Sequence, residues 1–512
     1  MIERALLSAW DKTGLAEFAG GLHELGVDLV ASGGTAEHLA ERGIEVTPVE
    51  ELTEIPEMLG GRVKTLHPRI HAAILARRDH PDDLAALDEH GIEPFDLVCV
   101  SFYPFTQIAA RHGVTEADAV EMIDIGGPSM LRAAAKNFAH VAPVCSPDRY
   151  AELLDELRQT GQLSSDTRRR LAAEAFALTA AYETGIASWF LGREAFPNRL
   201  IPSFAKVADL SYGENPHQRA AYYAEEGARR HLLSRIDQIH GKQLSFNNLN
   251  DLSAARRLLG EFQLPAAVVV KHANPAGVAV ARSIEDAFRR AHDADPVSAY
   301  GMVLALNRPV SQGLAAELAE KFIEVVIAPG YDDAALATLR KKPAIRILLD
   351  QERRRGDLGE RDYKRVIGGL LVQDGDREID DRSGMQLVCG EASEATWGDL
   401  LFVWRVAKHV SSNAIVLAED LQTIGIGGGQ TSRVDAARIA VEKAREHGHD
   451  PTGAVLASDA FIPFADGAEA ALEAGIVALI QPGGAKRDEQ VVAAVEGAGG
   501  AMVFTHRRHF RH

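Results

Sequence analysis

An apolar run rich in β-branched residues, Ala266 to Val270, stops at Lys271-His272, and a Pro/Gly stretch follows through Asn274, Pro275 and Gly277. Such a run fits a buried strand that delivers an ammonium and an imidazole to its carboxyl end, where open α/β sheets place their ligands. Both groups can donate, accept or relay protons near neutral pH. Taken alone, the pair also fits a surface lysine beside a histidine satisfied by the backbone, because a short motif is only a hypothesis.

Four segments of the amino-terminal part suit an anion. Asp11-Lys12-Thr13-Gly14 offers a cation and a hydroxyl, and Ser32-Gly33-Gly34-Thr35 places glycines where a helix begins. Glycine lets the backbone approach a phosphate, and a helix amino terminus points free N–H groups at it. Gly60-Gly61-Arg62-Val63-Lys64-Thr65-Leu66-His67-Pro68 adds two cations, or is simply an exposed basic loop. Ile123 to Asn137 combines Asp124, Gly126-Gly127, Pro128 in a first helical turn and the helix formers Ala133 to Ala135. Its free N–H groups can take an oxyanion with Asp124 beside them, and Ser129 and Lys136 share a helix face. A plain structural cap is the alternative for Asp124.

A second set lies further along. Tyr212-Gly213-Glu214-Asn215-Pro216-His217-Gln218 is dense in polar groups for a turn. Gly425 to Arg433 follows a strand and opens a helix, a geometry ready for phosphate. Gln430 occupies the last position of GxGxxG there, so the dinucleotide fingerprint fails and a nucleotide-dependent oxidoreductase loses its main support. Ser458 to Gly467 joins Phe461 and Phe464 to Asp459 and Asp466, aromatics that fit a core as readily as a ligand stack.

These residues need elements to hold them. Ala5 to Ser8, Val27 to Ala31 and Asp96 to Val100 read as strands, with helices over Leu15 to Leu25 and from Ser32 through Glu41. This βα alternation predicts a parallel sheet with helices on both faces, closed by a long helix over Ser165 to Phe190. Phe196 to Ser203 breaks both periodicities and marks a boundary, giving domains 1–196 and 203–512. The second is again α/β. Its core strands are Val268 to Val270, Val303 to Leu306, Val325 to Ala328, Thr423 to Ile426, Val455 to Ser458 and Ile476 to Ile480, and a helix spans Ser432 to His447. About 300 residues is long for one core, so two sub-domains are expected. No internal repeat stands out, and the arginine-rich Gln351 to Arg355 and His506 to Arg511 read as solvated segments.

A net charge of −18 argues against broad nucleic-acid binding. Three scattered cysteines, Cys99, Cys145 and Cys389, exclude CxxC and make a zinc site or disulfide scaffold unexpected. No basic leader precedes an apolar core, and no apolar run reaches the ~20 residues of a membrane span, so a cytoplasmic protein is expected.

Together these segments resemble the bifunctional purine-biosynthesis family that joins AICAR transformylase to IMP cyclohydrolase. The resemblance runs from Leu6 to His512 and includes Met502 to Thr505 and Arg508 to His512. It implies a methylglyoxal-synthase-like domain followed by two cytidine-deaminase-like sub-domains. It also implies formyl transfer from 10-formyltetrahydrofolate to AICAR, then dehydrative closure of formyl-AICAR to IMP. Deaminase relatives hold zinc through PCxxC, which this chain lacks, so metal-independent transfer is expected. By resemblance His272 is the base, Lys271 its electrostatic partner and Asn413 the orienting amide. Tyr212, His217, Glu324, Gln430, Arg433, Phe461, Asp466 and Arg508 match nucleotide or folate pockets. Lys64, Tyr103, Asp124 and Lys136 are expected to carry ring closure. Lys12, Thr13, Ser32, Gly33, Gly34, Thr35, Arg62 and Thr65 should hold phosphate and ribose, with the Gly126-Gly127 amides beside Asp124. A homodimer with transformylase sites across its interface is implied too. Three residues depart from the family pattern: Trp10 before the Asp-Lys-Thr-Gly segment, Ser101 where Asn is usual, and Ser211 where an Arg would clamp phosphate. Unless Arg219 compensates, Ser211 predicts weakened AICAR binding. A sensor that kept the pockets and lost the chemistry is the non-catalytic alternative, opposed by the retained proton-transfer groups.

Overall fold

The computed structural model describes residues 2–55, 58–192, 194, 196–226, 233–351, 361–376 and 381–512. The chain divides into two compact units, Met1–Phe204 with Glu225–Gly227, and Ala205–Ala224 with Ala228–His512.

The first unit is built on five parallel strands in the order Thr47–Pro48, Asp28–Ala31, Arg4–Ala9, Leu97–Ser101, Ala142–Val144. Strand alternation sends Ala5, Leu7, Leu97 and Cys99 into one core with Leu15, Phe18 and Tyr150. It sends Leu6, Val98 and Val100 into another with Ile70, Met130 and Leu131. Both faces are therefore covered, as the βα alternation predicts. The strand order reverses between Arg4–Ala9 and Leu97–Ser101, and ligands of open parallel sheets collect at the carboxyl ends beside such a switch. The loops at Trp10–Gly14, Ser32–Gly33 and Phe102–Pro104 leave those ends. The closing helix, Ser165–Leu191, starts at Ser164, whose hydroxyl accepts the Thr167 N–H.

The second unit carries one twelve-stranded sheet. Its order is Gln386–Cys389, Ala501–Phe504, Ala478–Gln481, Val455–Ser458, Ile415–Glu419, Gln422–Gly427, Asn274–Val280, Ala266–Lys271, Met302–Leu306, Ile323–Ala328, Arg346–Leu349, Asp237–His240. Two half-sheets meet where Gln422 pairs antiparallel with Ala279. Each half opens with an edge strand (Asp237–His240 or Gln386–Cys389), runs through a helix (Phe246–Leu259 or Glu394–Ala407) into a β-hairpin and then alternates helices with strands. The two halves thus repeat one order of elements within a single sheet. Ser245 and Ser393, Asp251 and Asp399, and Gly277 and Gly425 occupy matching places, each pair 148 residues apart.

Three sequence expectations change. The strand Ala266–Lys271 is antiparallel to both neighbours, and the segment beyond His272 is not a Pro/Gly loop. Pro275 and Gly277 sit inside the return strand of a hairpin, where the register shifts between them. The predicted strand at Ile476 begins two residues later, at Ala478. His506 to Arg511 is no solvated tail: His509 is 2% exposed, and its N–H bonds to the Asp459 carbonyl at 2.9 Å. Beyond Gln351, the other arginine-rich segment lies outside the described residues.

Candidate active sites

In the first unit, Lys12 and Lys64 converge on the amino terminus of the helix Gly33–Ala40. The Lys12 ammonium donates to Thr35 Oγ1 at 2.9 Å and to the Ala9 carbonyl. Its partners are neutral oxygens, and burial lowers its pKa, so the site carries a cation that an incoming anion would stabilise. Lys64 Nζ lies directly over Gly33, where any side chain would collide with it, and Glu50 stands 3.5 Å away. Gly33 has φ 37°, and its neighbour Ser32 caps the helix without a side-chain bond. The Ser32 hydroxyl instead reaches Ser8 Oγ at 2.7 Å.

The segment next to Lys64 connects this cluster to a second helix end. Thr65 Oγ1 packs on Gly126, the first residue of the helix Gly126–Lys136. Asp124 Oδ1 accepts the Gly127 N–H at 2.8 Å, and Asp124's own N–H donates to Tyr182 Oη at 2.8 Å. Burial pushes the Asp124 carboxyl up, opposed by the Gly127 and Tyr103 amides. The Tyr103 ring meets Trp10 edge-on at 5.1 Å, so the departure at Trp10 adds an aromatic wall beside an expected site residue. Ser101 Oγ accepts the Asp11 N–H at 3.0 Å, and Asp11 in turn accepts from both the Thr13 amide and hydroxyl.

Of the residues expected here, Lys12, Ser32, Gly33, Thr35, Lys64, Thr65, Tyr103, Asp124, Gly126 and Gly127 are thus joined by contacts. Gly34 faces open space, and Arg62 is exposed in an ion pair with Glu121. Lys136 ends its helix, nine residues and about 13 Å of axial rise from Gly127. Glu50 and Tyr182 were missed. A carboxylate in a polar stretch and a tyrosine in a long helix carry no local motif.

In the second unit, Lys271 ends a buried strand and His272-Ala273 forms the two-residue turn. Lys271 Nζ donates to the Tyr300 carbonyl at 2.7 Å. His272 and Ala273 have φ 53° and 59°, the shape usually filled by Asn-Gly in such hairpins. Each non-glycine residue there costs about 1–2 kcal/mol. Asp251, on the helix Phe246–Leu259 and 9% exposed, accepts the Ala273 N–H at 2.6 Å. Asn274 bridges to the next group: its Nδ2 donates to the His272 carbonyl at 3.2 Å, and its Oδ1 accepts the Ser411 N–H at 2.9 Å.

The Ser411 carbonyl takes the Gly429 N–H at 2.6 Å, which brings Gln430 beside Asn413. Asn413 Nδ2 donates to the Gln430 carbonyl at 2.8 Å, and its Oδ1 accepts from Arg433 at 2.8 Å. Arg433 also pairs with the fully buried Asp459. Gly425 and Gly427 answer to packing rather than to a phosphate, since a Cβ at either would strike a carbonyl of the helix Arg433–Glu446. Glu324 is engaged by Arg346 at 2.8 Å, a buried partner that sequence reasoning missed along with Asp251. Tyr212 is tied to the Asp251 helix through its carbonyl, which accepts the Phe246 N–H at 3.2 Å. His217 and Arg508 are exposed, Arg508 lying 4.6 Å over the Phe510 ring. Phe461 is 39% exposed, and Asp466 accepts the adjacent Gly467 N–H at 2.8 Å. Ser211, also exposed, has a hydroxyl that donates to the Leu244 carbonyl at 3.5 Å. Among the described residues no group of three or more His, Cys, Asp or Glu is placed to hold a metal ion. No described helix is long and apolar enough to cross a membrane.

Residues 134–443 match the family model described as AICARFT/IMPCHase bienzyme, and residues 14–129 match that of the MGS-like domain. Relatives from Magnetococcus marinus, Anoxybacillus flavithermus and Acetivibrio thermocellus are 48%, 47% and 46% identical to this chain. Each alignment covers 100% of this chain and 99%, 100% and 100% of the respective relative. All three are named bifunctional purine biosynthesis protein PurH.

Proposed function

This chain belongs to the AICARFT/IMPCHase bienzyme family, and from that premise we propose how its residues divide the family's two reactions. The protein is a bifunctional enzyme of purine biosynthesis that formylates AICAR and closes formyl-AICAR to IMP. Residues 203–512 perform the transfer, with 10-formyltetrahydrofolate as co-substrate, on two cytidine-deaminase-like sub-domains. Residues 1–196 perform the closure.

In the transfer, the AICAR amine attacks the formyl carbon of the folate. Ring and carboxamide withdraw its lone pair, so His272 takes the amine proton as the N–C bond forms, and a tetrahedral oxyanion develops. Its collapse breaks the bond to the folate nitrogen, which receives a proton, and Lys271 manages charge and proton there. Asn413, fixed at both ends of its amide by Arg433 and Gln430, orients the formyl oxygen. In the closure, the carboxamide nitrogen attacks the formyl carbon and water leaves. Asp124 and Lys64 handle the protons, joined by Tyr103 and Lys136. Lys12, Thr13, Arg62, Thr65 and the Ser32-to-Thr35 helix end hold the phosphate and ribose. The protein works as a cytoplasmic homodimer on small molecules, without nucleic acid.

The observation that carries this division is the mounting of Lys271-His272 beside the Asn413–Gln430 pair in one unit, and of Lys12, Lys64 and Asp124 around two helix ends in the other. Its test uses full-length protein with AICAR and 10-formyltetrahydrofolate. His272→Ala should abolish tetrahydrofolate release and leave closure of supplied formyl-AICAR intact, while Lys64→Ala does the reverse. Loss of both activities together in either folded variant refutes the division.

A further inference from the structure

We propose that Asp251 is the positioning residue for formyl transfer: it clamps the His272-Ala273 turn and so fixes where the imidazole points. This rests on His272 being the base. Both turn residues stand at positive φ without being glycine, so the turn opposes its own sequence and needs an outside hold. Asp251 supplies it, because its Oδ1 accepts the Ala273 N–H at 2.6 Å from the neighbouring helix. The carboxyl is buried, which raises its pKa, while the Ala273 and His272 amides and the nearby imidazole counter that rise.

The molecule contains its own control. Asp399 precedes Leu421 by 22 residues, as Asp251 precedes Ala273. It accepts the Leu421 N–H at 2.7 Å and the Asp420 N–H at 3.0 Å, and that turn has φ 48° and 57°. Since Gln422 pairs with Ala279 rather than with Asn274, the second turn lies at the opposite end of the shared strand pair. It carries no imidazole. The clamp is therefore a feature of the duplicated fold, and only one copy has a base mounted on it.

The test measures transformylase kcat and KM for AICAR in full-length variants, with the thermal midpoint of the second unit as the folding reference. Asp251→Ala is expected to lower transformylase kcat by about 10- to 100-fold with KM within about threefold, because misplacement by about 1 Å costs on that order. Adding Ala273→Gly, which adopts positive φ freely, should recover most of the loss. Asp399→Ala should lower thermal stability and leave kcat within about threefold, since it clamps a turn without a catalytic group. Unchanged kcat in Asp251→Ala, no rescue by Ala273→Gly, or an equal kcat loss in Asp399→Ala overturns the inference. If Asp251→Ala accumulates unfolded, Asp251→Leu, which fills a similar volume and offers no acceptor to the Ala273 N–H, takes its place under the same criteria. Retained transfer in His272→Ala defeats the base assignment itself, whereas an inactive His272→Ala beside a fully active Asp251→Ala defeats only the positioning role.

Discussion

Asp124, proposed above to move protons in ring closure, shows how burial of one carboxyl bears on stability. Burial holds its carboxyl above the ordinary carboxylate value, so the folded pKa exceeds the unfolded one. Such a group favours the fold below its unfolded pKa, and that contribution is lost as pH rises through the folded pKa. At neutral pH the ionised form weighs against folding. Asp124→Asn keeps an oxygen for the Gly127 N–H. It should raise the thermal midpoint of the first unit by a few degrees at neutral pH and by much less near pH 4, roughly the free carboxylate value. Ring closure should fall about 10²- to 10⁴-fold, as for loss of a proton-transfer group. A variant no more stable than wild type at neutral pH contradicts the account of burial. Ser211 poses the converse case, a binding group absent from its place. Its hydroxyl donates to a backbone carbonyl at 3.5 Å, so Ser211→Arg displaces nothing of consequence. A charge-assisted phosphate contact is worth about 1.5–3 kcal/mol, so KM for AICAR should drop about tenfold or more. An unmoved KM means that another cation already clamps the phosphate. At this scale the sequence revealed residues that sit in dense motifs, such as Lys64, Asp124, Lys271 and His272. It hid Glu50, Tyr182, Asp251 and Arg346, whose partners lie far away in the chain and become neighbours only on folding.

Glycines decide how closely the second unit's helices approach its sheet. A Cβ on Gly277 would strike the Ala291 carbonyl, and one on Gly427 the Ala436 carbonyl, and neither backbone can swing aside as a side chain could. Gly427→Ala should therefore cost at least the 1–3 kcal/mol typical of overpacking. It should also push out the helix Arg433–Glu446, and Arg433 would then release Asn413. The expected result is a lower midpoint for the second unit with transformylase lost and cyclohydrolase retained. Full transformylase activity in the variant contradicts that chain of contacts. The same glycines explain what was legible among the elements. Three strands of the first unit follow from apolar runs, since both faces of a parallel sheet are buried, whereas Thr47–Pro48 and Ala142–Val144 are too short to leave a pattern. The duplication in the second unit left almost no trace. Its halves share what backbone geometry enforces, such as Gly277 with Gly425 and Asp251 with Asp399, while their buried apolar positions change in size, as Ala254 does against Phe402. The hairpin after Lys271 was hidden for a related reason. Its turn lacks the Asn-Gly signal, because Asp251 does from a distance what glycine would do locally.

At the scale of the whole molecule, the two units differ in how complete each site is within one chain. The contacts described above for the first unit's cluster, from Lys12 to Asp124, join residues between Ser8 and Tyr182. The second unit's cluster opens onto an apolar surface. Lys271 bonds the carbonyl of Tyr300, a residue 67% exposed whose ring centre lies 4.8 Å from that of the half-exposed Phe322, with Val297 74% exposed close by in the chain. Contiguous exposed aromatics of this kind mark surfaces that bind something. The homodimer proposed above predicts that a second copy covers this surface and completes the transformylase site. Val297→Asp places a charge there without touching the bonds of Lys271 or His272. It should shift the sedimenting species from dimer to monomer at micromolar protein and lower transformylase activity by at least tenfold, the factor corresponding to ~1.4 kcal/mol of lost interface. Cyclohydrolase activity should stay at the wild-type level, and raising the protein concentration should restore transfer by mass action. A variant that remains dimeric yet loses transfer assigns the surface to the folate instead. A monomeric variant with full transfer shows that one copy suffices and removes the homodimer from the mechanism.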